Sequence, residues 1–82
     1  MTDQELLDRI TVQPGVMAGK PVIRGTRLTV PYVLGLLAHA STVQEILDEY
    51  PGVTLDDISA CFLFASRSLE QTAFLPLLRE AS

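Results

Sequence analysis

Lys20, Arg24 and Arg27 fall within nine residues, GKPVIRGTR, of a chain that has only six Lys and Arg in all. Cations this dense around two glycines suit three roles: cradling a phosphate, tracking a nucleic-acid backbone, or lining the solvent side of a turn. The phosphate-loop version fails on spacing. Such a loop reads G-x-x-x-x-G followed by Lys and then Ser or Thr. In GVMAGKP only three residues separate Gly15 from Gly19, and Pro21 after the Lys removes a backbone donor. A nucleic-acid contact and a solvated turn remain.

Nucleophilic chemistry is poorly supplied. With one His and one Cys in the chain, a Cys–His pair requires His39 and Cys61. His39 falls near the end of an expected helix, where the dipole favours an imidazolium without any catalytic role. Cys61 sits in ISACFLFAS, with none of the nearby cations that activate a thiolate. A single Cys also excludes an intrachain disulfide and a thiolate zinc cluster. Glu45, Asp48, Glu49, Asp56 and Asp57 are close in sequence, but helix capping and solvated helix faces account for them without a metal. Neither enzyme activity nor a cofactor or metal is expected.

The net charge of −4 is unevenly spread: residues 1–8 carry −3, residues 9–44 carry +4 with no acid, and residues 45–82 carry −5. The GKPVIRGTR stretch therefore lies in the basic part of an acidic chain. Eighty-two residues read as one domain, 1–82, too small for a second core. A chain of this size buries only about 60% of its unfolded surface. With 48% of residues apolar, part of that content is expected to meet a partner, and a homodimer is expected. No charged-then-apolar leader stands at the start, and no apolar run nears the ~20 residues of a membrane span. The expectation is a cytoplasmic protein without a membrane partner.

The elements that position these residues follow from caps and periodicity. Thr2 and Glu5 have capping-box spacing, which predicts a short helix over 3–9 with Leu6, Leu7 and Ile10 on its apolar side. Ile10 and Val12 alternate as a strand does before Pro14-Gly15 breaks it. PVI and RLTV then flank RGT as the arms of a hairpin, with Gly25 supplying positive φ in a type II turn or three-residue loop. Residues 10–30 thus form a strand and hairpin region.

Residues 31–70 form a helical core. Pro31 suits a first helical position, and Gly35 within YVLGLLAH weakens that helix by about 1 kcal/mol relative to Ala, unless it admits another backbone. Thr42 and Glu45 cap a second helix with Val43, Ile46, Leu47 and Tyr50 as its stripe, and Pro51-Gly52 stops it. Thr54 and Asp57 cap a third over 54–69, where Leu55, Ile58, Phe62, Ala65 and Leu69 recur at helical spacing. The tail 71–82 is apolar and broken by Pro76.

The last two helices have the proportions of a helix-turn-helix. A reading helix presents Arg, Lys, Asn, Gln or Ser near its start. This one presents Asp56 and Asp57, and its first base is Arg67. The hairpin cations Lys20, Arg24 and Arg27 are the better nucleic-acid candidates. Two copies would bring six bases, a salt slope of about −5.

GKPVIRGTR, then an apolar helix, then STVQEIL and YPGVTLDDI form a specific succession. Over residues 10–65 the chain resembles the bacterial family known as domain of unknown function 433. The resemblance implies a mainly α, homeodomain-like three-helix fold, a helix-turn-helix domain preceded here by the short N-terminal helix and strands. The family is often encoded beside a PIN-like nuclease. The resemblance therefore implies an antitoxin that binds and silences a ribonuclease toxin, with operator DNA binding for autoregulation. The matching motif positions are Gly19, Lys20, Pro21, Arg24, Gly25, Thr26 and Arg27, then Tyr50, Pro51, Asp56 and Ile58.

Three positions depart from the family pattern. Gln13 stands for Asp, Ala18-Gly19 for a paired glycine, and Ala40 for the glycine that closes the first main helix. In the antitoxin reading, Phe74, Leu75, Leu77 and Leu78 of the tail contact the toxin, and Arg79 reaches its acidic metal site. The alternatives are a stand-alone transcription regulator that uses the hairpin on DNA, and a structural dimerisation module.

Overall fold

A computed structural model describes residues 1–71. Four helices and one two-stranded sheet follow in the order α1 Asp3–Leu7, β1 Ile10–Val12, β2 Pro21–Ile23, α2 Val30–Ala38, α3 Val43–Glu49 and α4 Leu55–Glu70. Each helix begins at a Thr outside it. Thr2, Thr42 and Thr54 form reciprocal capping boxes with Glu5, Glu45 and Asp57, and the Thr29 hydroxyl accepts from the Tyr32 N–H. Each cap satisfies donors that the first helical turn leaves without partners. Because Thr29 caps α2, Pro31 stands in its first turn after Val30, one residue later than its spacing suggests.

The sheet differs from the sequence expectation. β2 pairs antiparallel with β1, in the register Ile10 with Ile23, Thr11 with Val22 and Val12 with Pro21. The expected second arm reaches β2 through one isolated bridge, Val22 to Thr29, and through the Ile23 N–H donating to Leu28 C=O at 2.9 Å. The reason lies in the cap. Residue 30 is already helical, so RLTV has no length left to form a strand. The turn itself is as expected: Thr26 N–H donates to Ile23 C=O at 3.0 Å with Gly25 at φ +80 in the third position, where a type II turn takes glycine.

Ile23, Val33, Ile46, Ile58 and Cys61 are fully buried and gather β2, α2, α3 and α4 into one core. α1 packs along α4, and Leu6 lies against the core. The Arg67 guanidinium, 2.8 Å from Asp3, ties the far end of α4 back to α1. Among the described residues Gly35 admits no backbone from outside its own helix: a Cβ there meets nothing within 4 Å.

α4 corrects a second expectation. Of the residues recurring at helical spacing, Ile58 enters the core at 2% exposure, whereas Leu55, Phe62 and Leu69 stand 61, 53 and 57% exposed. The buried face is instead Asp57, Ile58, Ala60 and Cys61, with Phe64 packed against it. α4 is apolar on two faces, and only one is used within the described residues.

Candidate functional site

Met17, Ala18 and Gly19 form a single 3-10 turn in which all three residues have positive φ, at 50°, 57° and 77°. A left-handed residue other than glycine costs roughly 1–2 kcal/mol. Met17 and Lys20, from this turn and its end, line a cleft of about 620 Å³. Arg27, Leu28, Thr29, Pro31 and Tyr32, leading into α2, and Tyr50 at the end of α3 complete its lining. The Tyr32 and Tyr50 hydroxyls are 3.1 Å apart. That hydrogen bond, then partial desolvation, raises the Tyr50 phenol from its ordinary 10 to about 12. Among the described residues no acid lines the cleft.

The three clustered bases do not act together. Lys20 and Arg27 share the cleft, and among the described residues no carboxylate lies in ion-pairing reach of either. Arg24 points elsewhere, and its Nε–H donates to the Asp8 carbonyl at 2.9 Å. It lines a separate depression with Met1, Glu5, Asp8, Arg9, Gly52, Thr54 and Asp57. Residues 20 and 27 thus line one depression and residue 24 another.

The remaining motif positions shape the backbone. Gly19 closes the left-handed turn. Pro21 opens β2, where a strand start tolerates the missing N–H. The Thr26 hydroxyl donates to Ile23 C=O at 2.8 Å and accepts from Leu28 N–H at 3.0 Å, which rigidifies the turn between Arg24 and Arg27. Pro51 occupies the second position of a turn closed by Val53 N–H donating to Tyr50 C=O at 2.9 Å. Ile58 is core, and Asp56 is exposed.

Arg9 was visible in the sequence only as a charge, and it explains the acids at the start of α4. Its guanidinium donates to Asp57 Oδ1 at 3.1 Å and lies 3.8 Å from Asp56. Asp57, only 7% exposed, also accepts from Thr54 N–H through Oδ2 at 2.9 Å. This end of α4 is thus closed by internal contacts. Glu45 and Asp48 are likewise engaged, by Thr42 N–H at 2.7 Å and by the Gln44 amide at 2.8 Å.

Among the described residues no group of three His, Cys, Asp or Glu is placed to hold a metal ion. His39 Nδ1 lies 2.8 Å from the Gly35 carbonyl, and Cys61 is buried with its thiol pushed up to about 11, first by burial and then by Asp57. No helix among the described residues is long and apolar enough to cross a membrane. Phe74, Leu75, Leu77, Leu78 and Arg79 lie outside the described residues.

These features define a mainly helical domain with a small antiparallel sheet, a basic cleft between the start of its second helix and the end of its third, and exposed apolar residues on its fourth. The chain belongs to the family described as "Protein of unknown function (DUF433)", whose profile matches residues 10–65. It is also similar to a solved structure, a DUF433 member protein from Anabaena variabilis ATCC 29413. That protein is 34% identical, with a TM-score of 0.74 over 83% of this chain and 67% of that one. No curated protein matches this chain.

Proposed function

We propose that this chain is the antitoxin of a toxin–antitoxin pair, a binding module that silences a PIN-like ribonuclease. The observation that carries the reading is the outer face of α4. Leu55, Phe62 and Leu69 are seven residues apart, so they drift only about 20° per step around the helix and form one line. Exposed Ser59 and Ser66 fall between them on the same line. Single exposed apolar residues are ordinary, whereas an aligned set along the longest helix is the kind of patch that partners cover. Family membership supports the choice of partner through the resemblance described above.

In this reading α2, α3 and α4 form the homeodomain-like, helix-turn-helix core, and the chain works as a homodimer. α4 does not read DNA, because Asp56 and Asp57 occupy its start and Arg9 neutralises them internally. Operator contact falls to Lys20 and Arg27, with Arg24 withdrawn into the fold. Two copies then offer four free cations, a salt slope of about −4.

Co-purification tests the partner. If the adjacent reading frame encodes the proposed nuclease, its tagged product should retain the wild-type chain and lose the Phe62→Asp and Leu69→Asp variants, both altered at exposed positions. Truncation after residue 71 tests the tail, in which Phe74, Leu75, Leu77, Leu78 and Arg79 are proposed to extend the contact. Undiminished capture of the truncated chain rejects the tail's part, and undiminished capture of both α4 variants rejects the face.

A further inference from the structure

We propose that the cleft between the left-handed turn and the start of α2 is a nucleotide site: Lys20 and Arg27 take the phosphate, and the Tyr32 ring takes the base. This goes beyond backbone contact with operator DNA and needs neither operator nor nuclease.

Charge is the first argument. The described residues include five cations: Arg9, Lys20, Arg24, Arg27 and Arg67. Arg9 and Arg67 are ion-paired, and Arg24 donates to a carbonyl. Lys20 and Arg27 are left over, and they are left over together, in a cleft without an acid, in a chain of net charge −4. Two unscreened like charges disfavour each other until an anion sits between them. The start of α2 lines the same cleft, so the helix dipole adds to the positive potential there.

The second argument is the rest of the lining. A bare phosphate would have no use for Met17, Leu28, Pro31 and two tyrosines. Tyr32 is 48% exposed, and its hydroxyl is held by Tyr50, so its ring is presented in a defined orientation. A Tyr–Tyr hydrogen bond consumes one of its two hydroxyl protons, and the other stays free to donate to a ligand oxygen. A cleft of about 620 Å³ with an apolar wall and a few convergent polar groups is the usual form of a small-ligand site. Stacking on Tyr32 requires an unpaired base, so a free nucleotide or a single strand fits and a duplex does not.

Tyr32 and Tyr50 are the only tyrosines, and the chain has no Trp, so intrinsic fluorescence reports on this cleft alone. The full chain is titrated with inorganic phosphate, adenosine, AMP, a single-stranded hexanucleotide, a 12-base-pair duplex and a hexaglutamate peptide. AMP should quench saturably and bind at least tenfold tighter than phosphate or adenosine. A hexanucleotide tighter than AMP identifies the source as single-stranded nucleic acid, and equal affinity identifies free nucleotide. Lys20→Gln with Arg27→Gln should weaken AMP tenfold or more and leave adenosine unchanged, while Tyr32→Leu should weaken AMP and leave phosphate unchanged. Circular dichroism confirms that these surface variants fold. No saturable quenching by AMP or hexanucleotide overturns the proposal, as does a hexaglutamate that binds as tightly as either, or a duplex that binds as tightly and loses that binding in Tyr32→Leu. Nuclease capture is unaffected by any of these outcomes, so the two proposals fail separately.

Discussion

The Arg9 guanidinium lies 3.1 Å from Asp57 Oδ1 while the other oxygen of that carboxylate caps Thr54, so one nearly buried acid closes the first turn of α4 and anchors the N-terminal segment to it. Asp57→Ala removes a cap and leaves Arg9 without its main partner. The expected loss is about 2 kcal/mol, a fall in Tm of roughly 10 °C for a domain this small. Arg9 is one-third exposed, so solvent screens the pair. A double-mutant cycle of Arg9→Ala and Asp57→Ala should give a coupling of only about 1 kcal/mol, and calorimetry of the four proteins checks it.

Ala18 and Ala40 hold left-handed backbone at φ 57° and 75°. At the end of α2, Ser41 N–H donates to Leu36 C=O at 3.0 Å, the closing bond of a Schellman motif whose left-handed residue is Ala40. Ala18→Gly and Ala40→Gly should each stabilise by about 0.5–1 kcal/mol. Gly35 predicts the reverse: within α2 and with open space around it, Gly35→Ala should also stabilise, by up to about 1 kcal/mol. Denaturant midpoints read all three, and a loss at Gly35→Ala would point to a backbone neighbour supplied by another chain.

Tyr50 should ionise near pH 12, and Tyr32→Phe should return it toward 10, as followed by absorbance at alkaline pH. The sign of the linked stability follows. The folded state holds the phenolic proton more tightly than the unfolded one, so the contribution is full below pH 10 and is lost as pH rises from 10 toward 12. In Tyr32→Phe that alkaline loss should flatten.

Cys61 is fully buried and its thiol is pushed up to about 11, so a disulfide reagent at pH 8 should modify it only as fast as the protein opens. Immediate modification of the folded chain would contradict the packing around α4.

Caps were the most legible feature, because a Thr with an acid three residues on is a local signal that states its own geometry. Three of the four helices begin at such a pair. The strand partner was not legible: PVI suits either neighbour, and the need of α2 for Thr29 decided against RLTV. The α4 stripe misled for another reason. Apolar residues on two faces satisfy helical spacing in more than one way, and only packing shows that Ile58 points in and Phe62 out. Within the cleft, the cations were visible as a cluster, but the withdrawal of Arg24 depends on the carbonyl of Asp8, sixteen positions away. Tyr32 was missed because it reads as one more apolar helix residue. Its link to Tyr50 appears only when α2 and α3 are folded together. The resemblance implied glycine where Ala18 and Ala40 stand, and the positive φ at both positions is a conformation glycine adopts more readily than alanine.

The measurement that bears most directly on the antitoxin reading is RNA cleavage by the PIN-like ribonuclease proposed as the partner, assayed alone, with equimolar wild-type chain and with equimolar Phe62→Asp. The prediction is that the wild-type chain abolishes cleavage and that Phe62→Asp, folded and at the same concentration, restores it. Full cleavage in the presence of the folded wild-type chain would contradict the account.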